Sequence, residues 1–136
     1  MSETHQNPDP LTEAELIELG TRIFGAARSG EVPALESYLA AGVSVDLANE
    51  GGDTLLMLAA YHGHAEAVRL LLARGADPDR TNDRGQTPLA GAVFKGHEAV
   101  LEALLAAGAD PRAGQPSALM TAQMFQKEEL VARFTA

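Results

Sequence analysis

The sequence predicts an all-α protein, built as a solenoid of about four helix-turn-helix units, and three observations support this prediction. The chain has 136 residues, of which 46% are hydrophobic and 21% are charged, so it can bury one ordinary core. Aromatic residues make up only 4%, which suits close-packed helices better than a β-sandwich. Identical residues recur 33 positions apart, and a fixed period of this size indicates a solenoid.

The 33-residue period is visible at glycine, threonine and leucine positions. One whole segment also repeats, because Gly75-Ala76-Asp77-Pro78 recurs as Gly108-Ala109-Asp110-Pro111. Four ladders of identical residues follow the period: Gly30, Gly63 and Gly96; Gly42, Gly75 and Gly108; Thr21, Thr54 and Thr87; Leu39, Leu72 and Leu105. Each unit is therefore expected to have the same structure.

The period also predicts how the chain is organised. Residues 1–10 are polar and acidic and are expected to form a disordered tail. The rest is expected to form a single domain, and its units are predicted at about 11–49, 50–82, 83–113 and 114–136.

The sequence of the middle unit predicts a short helix, a turn, a longer helix and a polar loop, in this order. The first helix is predicted at Leu55–Tyr61 and ends at Gly63, which can adopt the left-handed conformation without a Cβ penalty. Residues 76–86 are rich in Asn, Asp, Pro and Gly and are expected to form a hairpin-like loop. Thr87 then caps the next first helix, and Pro88 stands at its first position.

The two ends are predicted to act as polar capping repeats. Thr12 and Glu15 fit a capping box at the start of a helix expected to run to Ala27. In the last unit, Leu119 matches Leu89 at an offset of 30 instead of 33, so the preceding loop is expected to be three residues shorter. That unit is more polar than the middle ones, as expected where one face meets solvent.

Three segments resemble the ankyrin repeat pattern: Gly85-Gln86-Thr87-Pro88-Leu89, Gly96-His97 and the run from Leu104 to Asp110. The resemblance extends over about residues 19–136. It departs from the family at Met57 and Ala90, where the pattern has a His after Thr-Pro-Leu. The side-chain hydrogen bonds of that His are therefore expected to be absent.

The resemblance implies a protein-binding module that recognises one partner protein in a concave groove, in a regulatory or scaffolding role. The groove positions that it implies precede each turn glycine, and they are Arg28, Ser29, Tyr61, His62, Phe94 and Lys95. A polar rim is expected at the loop positions Glu50, Asp53, Asp83, Arg84 and Gln86. The alternative is that Tyr61 and Phe94 only pack between neighbouring helix ends.

Charge and composition restrict the partner. The formal net charge of −9 opposes nucleic acid and anionic membranes and favours a protein with a neutral or basic surface. Glutamates of the second helices are expected to form a solvated face or to attract a basic partner. The acidic start of the chain and the lack of an apolar span predict a cytoplasmic protein, and we expect it to be monomeric. The absence of cysteine excludes disulfides, thiolate metal sites and a cysteine nucleophile. Eight arginines against two lysines are typical of GC-rich bacterial proteins.

The alternative function is a small-molecule or metal-dependent enzyme that uses the region of His62, His64 and His97. His64 and His97 share one repeat position, which favours a structural role, and His62 is separated from His64 by a turn glycine. The acidic loop from Asp77 to Asp83 lacks the glycine and the closing glutamate of a calcium loop. No cofactor, metal site or catalytic residue is therefore expected.

Overall fold

A computed structural model of the protein describes residues 11–136, and the predicted tail, residues 1–10, lies outside them. The described chain forms eight α-helices: α1 (Glu13–Ser29), α2 (Val32–Ala40), α3 (Leu55–Tyr61), α4 (Ala65–Ala73), α5 (Pro88–Lys95), α6 (Glu98–Ala106), α7 (Ala118–Met124) and α8 (Glu128–Thr135). Residues 11–136 contain no strand, which confirms the prediction of an all-α fold. None of these helices has both the length and the apolar character needed to cross a membrane.

The helices form two parallel rows. The first helices of the units, α1, α3, α5 and α7, contact one another in succession, and α2, α4 and α6 do the same in the second row. Each first helix also packs against the second helix of its own unit. One helical hairpin is therefore repeated along the chain, and each copy contacts its neighbours, which is the organisation of a solenoid.

The core lies between the two rows and repeats with the units. Leu56 and Leu89 occupy the same position in α3 and α5 and are almost completely buried. Ala59, Ala92 and Ala122 occupy a second shared position and are fully buried, so the first helices can approach each other closely. Burying each leucine stabilises the fold by about 1.5–3 kcal/mol, whereas the alanines contribute by fitting between helices.

A hydroxyl residue caps the start of each first helix, which confirms the predicted caps Thr12 and Thr87 and adds Thr54 and Ser117. The Oγ1 atoms of Thr54 and Thr87 each accept a hydrogen bond from a backbone N–H three residues further on, at 3.1 Å. Ser117 does the same in the last unit at 3.0 Å. Thr12 and Glu15 form the predicted capping box of α1. These caps fix where each helix begins because they satisfy backbone donors that the helix itself leaves unpaired.

The turn glycines end the first helices. The helix α1 extends to Ser29, two residues beyond the predicted end at Ala27, because the backbone N–H of Gly30 still bonds to the last carbonyls of the helix. Gly30 then adopts φ of 70°. In the last unit Gln126 takes the equivalent position with φ of 55°, so this turn retains the left-handed backbone without a glycine.

The loops between units are stacked side by side. The backbone N–H of Asp83 donates to the carbonyl oxygen of Gly51 at 2.9 Å, and that of Gln115 donates to the carbonyl oxygen of Gly85 at 2.8 Å. Each loop is thus hydrogen-bonded to the loop of the preceding unit. The loops consequently form a continuous edge beside the first-helix row.

Candidate functional site

Two histidines join successive units beside the predicted groove positions. The Nε2 atom of His64 lies 2.7 Å from the carbonyl oxygen of Arg28, and Nε2 of His97 lies 3.1 Å from that of Tyr61. A Cβ atom on Gly63 would come within 2.8 Å of the His97 ring. The repeated glycine and histidine are therefore two halves of one contact between units, in which only glycine leaves room for the ring.

His62 lies between these contacts and is exposed. Its ring meets the Tyr61 ring edge-on, with the centroids 5.5 Å apart. Partial burial of the imidazole lowers the pKa of His62, and nearby basic groups lower it further. These groups are His64, Arg28, Lys95 and His97. His62 is thus neutral at neutral pH, and the charges that act on it are all basic.

The histidine region does not form a recognisable metal centre. In residues 11–136, no group of three or more His, Cys, Asp or Glu side chains is placed to hold a metal ion. His64 and His97 each use a ring nitrogen to contact a backbone carbonyl of the preceding unit. Their repeated position is explained by this contact.

An apolar cleft of about 240 Å³ lies where α3, α5 and α7 meet. We define this apolar cleft by its five large apolar side chains: Met57, Tyr61, Phe94, Met124 and Phe125. Phe94 and Phe125 pack edge to face with their centroids 5.5 Å apart. Tyr61 is 38% exposed, Phe94 is 54% exposed and Met124 is 65% exposed, so these side chains are not enclosed between helix ends.

Met124 and Phe125 were not predicted as site residues. They occupy the positions of Phe94 and Lys95 when the last unit is aligned with the offset of 30 residues. The same offset aligns Leu119 with Leu89, so the sequence alone could have indicated that Met124 and Phe125 occupy groove positions. The structure brings Phe94 and Phe125 into contact from neighbouring units.

Two cations occupy groove positions near Tyr61: Lys95 lies beside its ring, and Arg28 holds the position of Tyr61 in the preceding unit. The Nζ atom of Lys95 lies 5.1 Å from the centroid of the Tyr61 ring, within the range of a cation–π interaction. Arg28 is exposed beside Ser29 at the end of α1. No ion pair within residues 11–136 joins Arg28 or Lys95 to a carboxylate. We call Arg28 and Lys95 the cationic pair.

The predicted loop positions divide into two groups. Asn82 is buried, and its Nδ2 atom donates to Asp53 Oδ1 and to Gln86 Oε1, both at 2.8 Å. The side chains of Asp53 and Gln86 are therefore engaged within the loop edge. Glu50, Asp83 and Arg84 are exposed, as is Gln86, whereas Asp53 is half-buried.

A family model described as ankyrin repeats, in three copies, matches residues 23–115, which is more than half of the chain. The chain belongs to the ankyrin repeat family. It is 50% identical over 55 residues to a Pseudomonas aeruginosa protein whose name describes it as an ankyrin repeat protein. That match covers 40% of this chain and 32% of the relative, so this chain corresponds to about a third of the relative's length.

A solved structure supports the same assignment. The crystal structure of the human ASB11 ankyrin repeat domain matches with a TM-score of 0.63 and 32% sequence identity. The match covers 65% of this chain and 40% of that one, so this chain also spans less than half of the solved domain. Ankyrin repeats are generally protein–protein interaction modules.

The apolar cleft lies where this ankyrin chain departs from the family pattern. Met57 and Ala90 stand where the pattern has a histidine, and both contribute to the lining of the cleft. Neither side chain carries a hydrogen-bonding group comparable to an imidazole, and both are buried. These two departures therefore make the floor of the cleft apolar.

Proposed function

We propose that this chain is a protein-interaction module that binds one partner protein on the first-helix face, with the apolar cleft as the central contact. Its role is regulation or assembly by occupying a surface of that partner. The site consists of the apolar cleft, the adjoining groove positions Arg28, Ser29, His62 and Lys95, and the loop positions Glu50, Asp53, Asp83, Arg84 and Gln86.

The observation that carries this proposal is the exposure of four large apolar side chains in adjacent units. Tyr61, Phe94, Met124 and Phe125 are between 38% and 65% exposed, although the core is already filled by leucine and alanine. Contiguous exposed apolar groups mark interaction sites in soluble proteins, and aromatic residues are enriched among the side chains that dominate binding energy.

We propose that this function does not involve catalysis. The volume of the apolar cleft, about 240 Å³, is below the roughly 300–1,000 Å³ of pockets that enclose small-molecule ligands. One or two side chains of a protein fit this space better than a substrate does. Metal analysis of the purified protein tests the enzyme alternative, because stoichiometric metal that is lost on His62→Ala would support it.

We further propose that residues 11–136 form one domain of four units, with units at about 11–49, 50–82, 83–113 and 114–136. Contacts between successive first helices support this division because they extend from α1 to α7. The cytoplasmic location, the monomeric state and the bacterial origin of the protein remain predictions from its sequence.

Affinity capture from an extract of the native cells tests the proposed function. The wild-type chain is compared with a Tyr61→Ala, Phe94→Ala variant and with an Arg69→Ala control, which removes an exposed side chain from α4 in the other helix row. We expect a protein captured by the wild type and the control to be lost from the cleft variant. Equal capture by all three would contradict the proposal, provided that circular dichroism shows each variant to be folded.

A further inference from the structure

The distribution of charge around the apolar cleft differs from the charge of the whole chain. The net charge is −9, yet the groove positions that precede the turn glycines contain only basic and neutral side chains. Arg28 and Lys95 are exposed there, and His62 stands between their units. A partner segment that runs along these positions thus meets the cations of Arg28 and Lys95, whereas the carboxylates of the site, Glu50, Asp53 and Asp83, lie at the loop positions.

The backbone stabilises the two cations without adding to the positive charge, because the C-terminal ends of α1 and α5 carry partial negative charge. Arg28 lies in the last turn of α1, and Lys95 lies in the last turn of α5. A cation at a helix C-terminus is stabilised by the helix dipole, which explains why these residues are compatible with the fold. The partial negative charge of a helix end, about half an elementary charge, reduces but does not cancel the positive charge of these exposed side chains.

No acidic group of the described chain is paired with these cations. The ion pairs found in residues 11–136 connect Glu18 with Arg22, Glu36 with Arg74 and Glu102 with Arg133. The basic groups that lower the pKa of His62 include both members of the cationic pair, and no carboxylate is among the groups that act on it. Within residues 11–136, no paired carboxylate therefore competes with a partner for Arg28 or Lys95.

Resting on the proposed function, we propose that the occupant is a protein segment that places one apolar side chain in the apolar cleft and presents Asp or Glu to the cationic pair. The apolar anchor is Leu, Met or Phe, and the acidic residues follow it towards α1. This proposal differs from the neutral or basic partner that net charge alone predicts.

The geometry sets the spacing of such a segment. Neighbouring packed helices are about 8–10 Å apart, so one unit of the first-helix row corresponds to about three residues of an extended segment. Lys95 lies beside the Tyr61 ring at the edge of the cleft, whereas Arg28 holds the position of Tyr61 in the preceding unit. One acidic residue is thus expected next to the anchor and another about three to six residues away.

Selection from a random 12-residue peptide library, displayed on phage and screened on the immobilised full chain, tests this inference. We expect the enriched peptides to combine one Leu, Met or Phe with Asp or Glu at the stated spacing. An enriched peptide is then synthesised in its acidic form and with Asn or Gln in place of Asp or Glu, and both are titrated against the protein.

Three variants of the protein complete the test. The double variant Arg28→Gln, Lys95→Gln should lower the affinity for the acidic peptide by a factor between about two and thirty, which corresponds to the usual energy of two exposed ion pairs. The affinity for the neutral peptide should not change. Arg69→Gln removes an exposed arginine from α4 in the other helix row and should change neither titration. Phe94→Ala should abolish binding of both forms.

The outcomes separate this inference from the proposed function. Enriched peptides that need Phe94 but carry neutral or basic residues beside the anchor would overturn the inference and leave the proposed function intact. The same holds if Arg28→Gln with Lys95→Gln has no larger effect than Arg69→Gln. A library that yields no peptide dependent on Phe94 would overturn both.

Discussion

Replacing Gly63 by alanine tests whether the contact between a turn glycine and the next unit's histidine holds the repeats together. Gly63 has φ of 82°, and an added Cβ would lie 2.8 Å from Cε1 and 2.9 Å from Nδ1 of His97. Gly96 occupies the same position one unit later with φ of 77°, but nothing lies within 4 Å of its added Cβ. Lys127 stands there in place of a histidine. Gly96→Ala is consequently a matched control.

The expected losses of stability follow from the two environments. A left-handed alanine costs about 1–2 kcal/mol at either position. At Gly63 the methyl group also displaces the His97 ring, which loses its hydrogen bond to Tyr61, at a cost of about 0.5–1.5 kcal/mol. Crowding adds about 1–3 kcal/mol. We therefore expect Gly96→Ala to lower the free energy of unfolding by about 1–2 kcal/mol and Gly63→Ala by about 2.5 kcal/mol or more.

Urea unfolding followed by far-UV circular dichroism measures both losses. His97→Ala provides a further check, because it removes the ring that Gly63→Ala would displace. In the His97→Ala background, Gly63→Ala should cost only the left-handed backbone penalty of about 1–2 kcal/mol. Equal losses for Gly63→Ala and Gly96→Ala in the otherwise wild-type chain, or no relief by His97→Ala, would refute the reasoning.

Three further predictions concern other parts of the chain. Because the pKa of folded His62 is lowered from 6.5, the unfolded chain takes up a proton first as the pH falls below that value, so stability decreases there. His62→Asn should lose less stability than the wild type between about pH 7 and about pH 5 in urea titrations. Asn82→Ala removes four side-chain hydrogen bonds and should lower the free energy of unfolding by about 2–3 kcal/mol. Asn49→Ala removes two and should lower it less, so equal melting temperatures of the two variants would contradict this prediction. Leu104→Ala empties a fully buried site and should cost about 2–5 kcal/mol in the same unfolding assay, and a loss below about 1 kcal/mol would show that the core collapses around it.

Helix positions were predictable because local signals determine them. The hydroxyl of Thr54 or Thr87 and the glycine at 63 or 96 act within a few residues of themselves, and each marks a helix end that the structure confirms. The end of α1 was placed two residues early at Ala27, since the apolar pattern fades before the backbone hydrogen bonds do.

Contacts between units were harder to predict because they join residues 29 to 36 apart in the sequence. The sequence indicates that His64 and His97 are repeated, but not that their rings contact backbone carbonyls of the preceding unit. It likewise does not indicate that Asn82 reaches Asp53 across two loops.

The candidate site was predictable in part. Tyr61 and Phe94 follow from the repeat register, and Met124 would have followed from the shorter last loop if the register had been continued past Leu119. The contribution of Met57 to the cleft floor depends on how three units pack, which the period alone does not describe.

Site-specific photocrosslinking in the native cells tests the central claim most directly. A benzophenone amino acid replaces Phe94 in the apolar cleft in one variant and the exposed Arg69 of α4 in another. We predict that irradiation links a partner protein to position 94 and not to position 69. A partner linked at position 69 but not at position 94 would contradict the proposal that the first-helix face is the binding surface.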